Sequence, residues 1–197
     1  ATQQTDRYIT SDRTGTSWDW DYLGFNYHII KKFKKEGQKL TFDFDYSKNG
    51  SDNVNKNFTN EFTSTWTEIP NKYQDNLNSS NATSNTYNVS IDMEHPVNKW
   101  KMNYGTRLRF GNDEADNSRL AKTSPTGGFI NQNDSVPHYK YFENVSDLYY
   151  SVERQLSEKW NAKAGLRYEH AEVKSEMDAV DGNYKKSYDG IYPTAYL

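Results

Sequence analysis

Between Tyr87 and Phe110 the chain reads YNVSIDMEHPVNKWKMNYGTRLRF, two runs of apolar and polar residues in strict alternation. Side chains in a strand point alternately to opposite faces, so Tyr87, Val89, Ile91 and Met93 share one side with Trp100, Met102, Tyr104, Leu108 and Phe110. The other side carries Asn88, Ser90, Asp92, Glu94, Lys101, Asn103, Arg107 and Arg109. The pattern predicts a β-hairpin with one apolar face. A two-residue loop at Pro96 and Val97 would set Asp92 across from Lys101, Glu94 across from Lys99, Met93 across from Trp100 and Ile91 across from Met102.

The same pattern occurs three times, giving predicted hairpins at about 18–47, 87–110 and 139–173. In the first, Leu40, Phe42, Phe44 and Tyr46 alternate with Thr41, Asp43 and Asp45. The third turns at Ser157, Glu158 and Lys159; pairing Leu156 with Trp160 sets Tyr150 opposite Leu166, Leu148 opposite Tyr168 and Glu153 opposite Lys163. A last strand occupies 188–197. The fold class expected is therefore all-β, an antiparallel meander of about seven strands in a single segment, 1–197. The first strand is irregular: Trp18, Trp20 and Tyr22 share one phase, whereas Leu23, Phe25, Tyr27 and Ile29 share the other. A bulge near Leu23 and Gly24, or burial on both faces, would give that reading.

Turns inside the hairpins are short, while the connections between them, about 48–84, 111–138 and 174–186, read as long polar loops. Loops beyond about 15 residues are unusual in compact soluble domains. Short turns on one edge and long loops on the other are what outer-membrane barrels show. Trp100 and Trp160 directly follow short turns, where an aromatic belt would lie, and Tyr46, Tyr87, Phe110 and Tyr168 lie toward the opposite ends. Ten strand steps from Trp100 to Phe110, tilted by about 40°, span roughly 25 Å, the height of an apolar membrane band.

Composition narrows the field. Of 197 residues only 34% are hydrophobic, yet 15% are aromatic, with 16 Tyr and 5 Trp, which favours β-structure over disorder. No stretch approaches the 18 apolar residues of a membrane helix, a limit that does not apply to membrane strands of about ten alternating residues. A net charge of −3 with scattered basic residues speaks against nucleic acid as a partner. The absence of cysteine excludes disulfides and thiolate metal sites.

Candidate chemistry is sparse. His28, His95, His138 and His170 sit in separate segments without zinc-site spacing. The acidic stretches Gly111–Ser118 and Asp178–Asn183 lack the calcium-loop pattern. Asp43, Asp45, Asp92, Glu94 and Glu169 recur with period two on polar strand faces, which suits structural charge pairs better than a glycosidase pair. No Gly-x-Ser-x-Gly elbow or phosphate loop is present, and Gly127-Gly128 reads as a turn. Sequons at Asn57, Asn81, Asn88 and Asn144 follow from the asparagine-rich composition. No enzyme activity, cofactor or metal is expected. Phe58, Phe62, Trp66 and Tyr73 in the first long loop are the candidate ligand contacts, because flat rings offer contact area at low entropy cost.

Four runs taken in order, KLTFDFDYSKN (Lys39–Asn49), YNVSIDMEHPVNKW (Tyr87–Trp100), KWNAKAGLRYEHAEV (Lys159–Val173) and SYDGIYPTAYL (Ser187–Leu197), resemble the barrel region of TonB-dependent outer-membrane receptors. The GLRYE run of Gly165–Glu169, followed by Ile191, Tyr192 and Pro193, resembles the outer-membrane protein β-barrel group in particular. The resemblance implies import of a scarce nutrient across the outer membrane, through a barrel of about 22 strands closed by a plug. An inner-membrane energy-coupling complex would drive it. No plug or coupling segment is read in this sequence, and about seven strands cannot close so wide a barrel. The expectation is thus a partial barrel, inactive in transport by itself, whose partners are outer-membrane lipid, the plug and remaining strands, and the coupling complex. In isolation it would curl into a small barrel or pair with another copy to cover its apolar face and edges. Two alternatives stand beside it: a secreted soluble β-sandwich binding a ligand or carbohydrate, and a small complete outer-membrane barrel acting as an adhesin or stability protein.

Overall fold

The computed structural model describes residues 7–12, 15–70, 72–132, 138–178 and 183–197. The strands are β1 (Arg7–Asp12), β2 (Thr16–Lys32), β3 (Lys39–Thr63), β4 (Gln74–Val97), β5 (Trp100–Lys122), β6 (Ile130–Asn131), β7 (Tyr139–Gln155), β8 (Asn161–Met177) and β9 (Tyr184–Tyr196). All of them form one antiparallel sheet. β1 and β2 line the same edge of β3 end to end, at Asp12↔Phe58 and Thr16↔Asn55. The two-residue β6 pairs only with the far end of β5. The sheet therefore has seven positions across, in plain meander order. It is open: the β1–β2 edge and the β9 edge have no partner strand among the described residues. Among the described residues neither a small closed barrel nor the second sheet that a β-sandwich needs is formed.

The apolar phase runs unbroken across the sheet. One row joins Tyr27, Phe44, Val89 and Leu108, and the next joins Phe25, Tyr46, Tyr87 and Phe110. Nearer the short turns, Met93, Tyr104, Tyr150, Leu166 and Pro193 are successive partners. Tyr46 stacks on Tyr87 with centroids 4.7 Å apart, and Tyr104 on Tyr150 at 6.3 Å. This outer face is largely exposed, Leu148 and Leu166 at 63% and 53%. Among the described residues a core in the soluble sense is confined to Ala121 and Ala171. An apolar face this wide requires an apolar solvent.

Two registers differ from expectation. The hairpin of β4 and β5 turns not at Pro96 and Val97 but at Asn98 and Lys99, with Val97 facing Trp100. Asn98 has φ 53°, a left-handed conformation that asparagine tolerates and proline, locked near −65°, cannot reach. The shift is four residues in the pair sum, so both faces survive, but Asp92 now faces Gly105, Glu94 faces Asn103, Met93 faces Tyr104 and Ile91 faces Thr106. The second difference is β2, which pairs with β3 residue for residue from Thr16↔Asn55 to Lys32↔Lys39 without a bulge. Nor is it buried on both faces: every β2 residue is exposed. Its change of phase instead puts Trp18, Trp20 and Tyr22 on the polar side. The β7–β8 hairpin has the expected pairs Tyr150↔Leu166, Leu148↔Tyr168 and Glu153↔Lys163.

The stretches read as long loops are mostly strand. β3 and β4 stay paired from Lys39↔Glu94 out to Thr59↔Gln74, leaving 64–73 as the connection, and β5 continues to Lys122. β8 reaches Met177 and β9 begins at Tyr184. At 25 residues β3 is more than twice the length needed to cross a bilayer. Residues such as Asn78, Ser79, Ser80 and Asn81 make strand here without apolar alternation, because beyond the membrane both faces meet water and only the backbone ladder holds them. Alternation marks the membrane-level part of each strand, not its full length.

Candidate functional site

The polar side of the sheet collects the ionisable residues, and at membrane level they form a lattice. Glu94 sits between Lys39 at 2.8 Å and Lys101 at 3.1 Å. One layer on, the Tyr149 hydroxyl donates to Asp92, and Ser90 donates to the same carboxylate at 3.1 Å. Arg107 lies over the Tyr149 ring at 5.6 Å, and Arg167 over the Tyr192 ring at 4.9 Å. Arg167 also reaches Glu169 at 3.4 Å, and Arg109 reaches Glu143 at 3.7 Å. His28 on the edge strand pairs with Asp43. Asp147 Oδ1 is buried without a hydrogen-bond partner, beside its cross-strand neighbour Arg107.

Gly105 organises the centre of this lattice. Its two cross-strand neighbours are Asp92 and Tyr149. With no side chain between them, the tyrosine ring lies across the glycine and delivers its hydroxyl to Asp92. A Cβ at Gly105 would stand 2.3 Å from the Ile91 carbonyl oxygen and 3.0 Å from Tyr149 Cε1.

Above the membrane-level rows the inner face changes character. Trp20, Ser51, Ala82, Ala115 and Tyr139 form one continuous row across β2, β3, β4, β5 and β7. The neighbouring row reads Tyr22, Asn49, Ser84, Asp113 and Tyr141. Small side chains make a floor, and rings stand at both ends. Trp20 and Tyr22 stack with planes 13° apart, and Tyr139 and Tyr141 with planes 16° apart. Asn49, Ser51, Ala82, Ser84, Asp113 and Ala115 line one hollow of about 290 Å³ bounded by Trp20 and Tyr139. The Tyr139 hydroxyl is pushed above the usual tyrosine range by burial and then by the Asp113 charge, so it stays protonated.

On the outer side, past Phe110, the apolar band gives way to ion pairs. Glu114 takes Lys140 at 3.0 Å and His138 at 3.3 Å, Lys185 takes Glu172 at 3.0 Å, and Lys174 pairs with Glu176.

The aromatic candidates read from sequence lie at the far end of β3. Phe58 meets Tyr73 edge-on at 5.2 Å and Phe62 meets Trp66 at 5.9 Å, so the four fasten the β3–β4 connection in two pairs. Phe58 and Phe62 keep the phase of the outer face. Trp66, at φ 60° and 70% exposed, is the most accessible of the four. The histidines do not converge: His28 faces in, His138 and His170 meet carboxylates on the outer side, and His95 pairs across from Met102. Of the carboxylates, Glu94 is clasped by two lysines as a charge pair, although by Lys39 and Lys101 rather than Lys99. The trough residues Trp20, Ser51, Ala82, Ala115 and Tyr139 were missed. Their signal was the tryptophan and tyrosine phase of β2 that disagreed with the apolar phase after it.

A wide antiparallel meander with an apolar outer band, aromatic rims and a charged inner face is the wall of an outer-membrane β-barrel. The family model of the outer membrane protein beta-barrel family matches residues 31–197, and the chain belongs to that family. Its place is the outer membrane. Among solved structures, the copper transporter OprC is similar at 10% identity and TM-score 0.47, over 89% of this chain and 33% of that one. The ferric citrate transporter FecA is similar at 12% identity and TM-score 0.41, over 81% and 25%. The alcaligin outer membrane receptor FauA from Bordetella pertussis is similar at 11% identity and TM-score 0.39, over 89% and 32%. The chain thus spans about a quarter to a third of the length of these structures. No curated protein matches it in sequence.

Proposed function

We propose that the chain is a sector of the barrel wall of a TonB-dependent type nutrient receptor, facing a plug with its membrane-level lattice and a ligand with its upper inner face. The observation that carries this reading is the charged lattice at the height of the lipid band. Lysines, arginines and carboxylates at that depth require a wide, wet or protein-filled interior rather than a packed small barrel. Backbone groups on the β2 and β9 edges have no partners in lipid, so the sheet crosses a membrane only when further strands close it. By itself it does not transport, and its outer band and edges invite pairing with a second copy. Plug, remaining strands, lipid and the energy-coupling complex are the partners, and the role is non-enzymatic. At the β3–β4 tip Trp66 is the foremost proposed ligand contact, with Tyr73 beside it, while Phe58 and Phe62 support these two rings from the phase of the outer face.

The test is uptake by cells carrying the whole receptor, compared with cells lacking it, on growth media each limited in one nutrient class. The reading expects a growth defect on one class, abolished uptake when a protonophore collapses the inner-membrane gradient, and no uptake from this sector expressed alone. Uptake indifferent to that gradient would sink it.

A further inference from the structure

We propose that the trough between Trp20 and Tyr139 binds a neutral, polyhydroxylated ligand of the oligosaccharide class; the inference rests on the receptor reading, because it places the ligand on the inner face above the membrane. Three properties of the trough argue for that chemistry. First, its ends are flat rings, exposed at Trp20 and Tyr22 and half-buried at Tyr139. Trp20 and Tyr22 are 56% and 58% exposed, and the stacked indole and phenol offer flat apolar area of the kind the apolar face of a sugar ring packs on. Secondly, the floor is made of short side chains. Ser51, Ala82 and Ala115 leave space above the sheet over four strand spacings, about 19 Å at about 4.8 Å each, long enough for several linked sugar units.

Thirdly, the polar groups nearby are mostly neutral donors and acceptors in register. Asn49 and Ser84 flank the row on one side with Asp113, and Asn53, Ser80 and Asn117 flank it on the other. Amides and hydroxyls pair with sugar hydroxyls in both directions, and a single carboxylate accepts from vicinal hydroxyls. A ferric chelate carrying net negative charge, or an acidic peptide, would need a concentration of cations here. The inner-face cations Lys39, Lys101, Arg107 and Arg167 lie at membrane level, engaged with carboxylates and rings, and Arg119, across from Asn78, stands two rows beyond the trough rather than in it. Asp113 on the floor would repel an anion.

The experiment is calorimetric titration of the detergent-purified whole receptor with linear neutral oligosaccharides of the glucan, xylan, mannan and galactan series, beside a ferric hydroxamate chelate and an acidic peptide as contrasting probes. At least one oligosaccharide series should bind saturably. Trp20→Ala and Tyr139→Ala should each weaken that binding about tenfold, whereas Trp20→Phe should stay within about threefold, since a ring is kept. Ala82→Tyr, which raises the floor without removing a strand residue, should abolish binding while the heat-resistant folded band on a gel is retained. Trp160→Phe at the lipid rim should change nothing. The proposal is overturned if none of the oligosaccharides binds, if the chelate or peptide binds the trough instead, or if an oligosaccharide binds equally to the Trp20, Tyr139 and Ala82 variants. In each of those outcomes protonophore-sensitive uptake would still stand for the receptor reading. Oligosaccharide binding lost in the variants, without any uptake, would instead remove the receptor reading and keep the site.

Discussion

Replacing Gly105 with alanine adds one methyl group at the point where Tyr149 crosses to Asp92. The new Cβ would lie 2.3 Å from the Ile91 carbonyl oxygen, 2.9 Å from Asp92 Oδ1 and 3.0 Å from Tyr149 Cε1. The ring can swing away, but the carbonyl belongs to the β4 backbone and moves only with its strand. Relieving that overlap costs about 1–3 kcal/mol. Displacing the ring also removes its hydrogen bond to a carboxylate, worth about 1.5–3 kcal/mol. Against this, alanine restricts the unfolded chain and stabilises by about 0.4–1 kcal/mol. The balance is a loss of roughly 1.5–5.5 kcal/mol, so the steric and hydrogen-bond terms win over the entropic gain. The assay is urea unfolding of the whole barrel protein in lipid vesicles, followed by tryptophan fluorescence. Tyr149→Phe tests the mechanism: it removes the same hydrogen bond, so the double variant should cost at least about 1 kcal/mol less than the sum of the single ones. A Gly105→Ala protein as stable as the parent, or strict additivity in the cycle, would refute the account.

Three further predictions concern other parts of the sheet. Leu166→Arg, in the middle of the outer apolar band, should destabilise the lipid-folded protein by about 2–4 kcal/mol, whereas Ser90→Arg on the inner face should cost far less; equal costs would mean that the two faces have been assigned wrongly. Asn98→Val, at φ 53°, should cost about 1–3 kcal/mol and Asn98→Gly little, read by the same unfolding assay. The outer ion pairs above the membrane are pH-dependent in opposite directions. The Glu114 hydrogen bond and charge raise the Lys140 ammonium above the usual lysine value, so its contribution is present below that value and lost as pH rises through the raised one. The Lys174 hydrogen bond and charge hold Glu176 below the usual glutamate value, so its contribution is present above that value and lost as pH falls through the lowered one. Stability differences of Lys140→Met and Glu176→Gln from the parent should therefore vanish at the alkaline and acid ends respectively; a difference for either variant that is flat across pH would rule the pairing out.

Period-two alternation alone specifies which residues of β3, β4, β5, β7 and β8 share the lipid face, because a register error by one residue would bury every charge of the strand in the apolar band. It also locates the membrane-level rows, since water on one side and lipid on the other is the condition that forces alternation. The Leu156–Trp160 turn and its register were legible for the same reason: the short apolar and charged partners fit in one pairing only. Tertiary structure decided what this signal leaves open. Asn98 rather than Pro96 carries the β4–β5 turn, and because the alternative differs by an even shift, the faces could not discriminate between them. Where water lies on both sides, as along Asn76–Asn85, alternation disappears while the backbone ladder continues, so strand length was invisible in the sequence. Convergence was invisible too. Trp20 and Tyr139 are more than a hundred residues apart, and only the pairing of four intervening strand junctions sets them at the two ends of one trough, just as it lays Tyr149 across Gly105 onto Asp92.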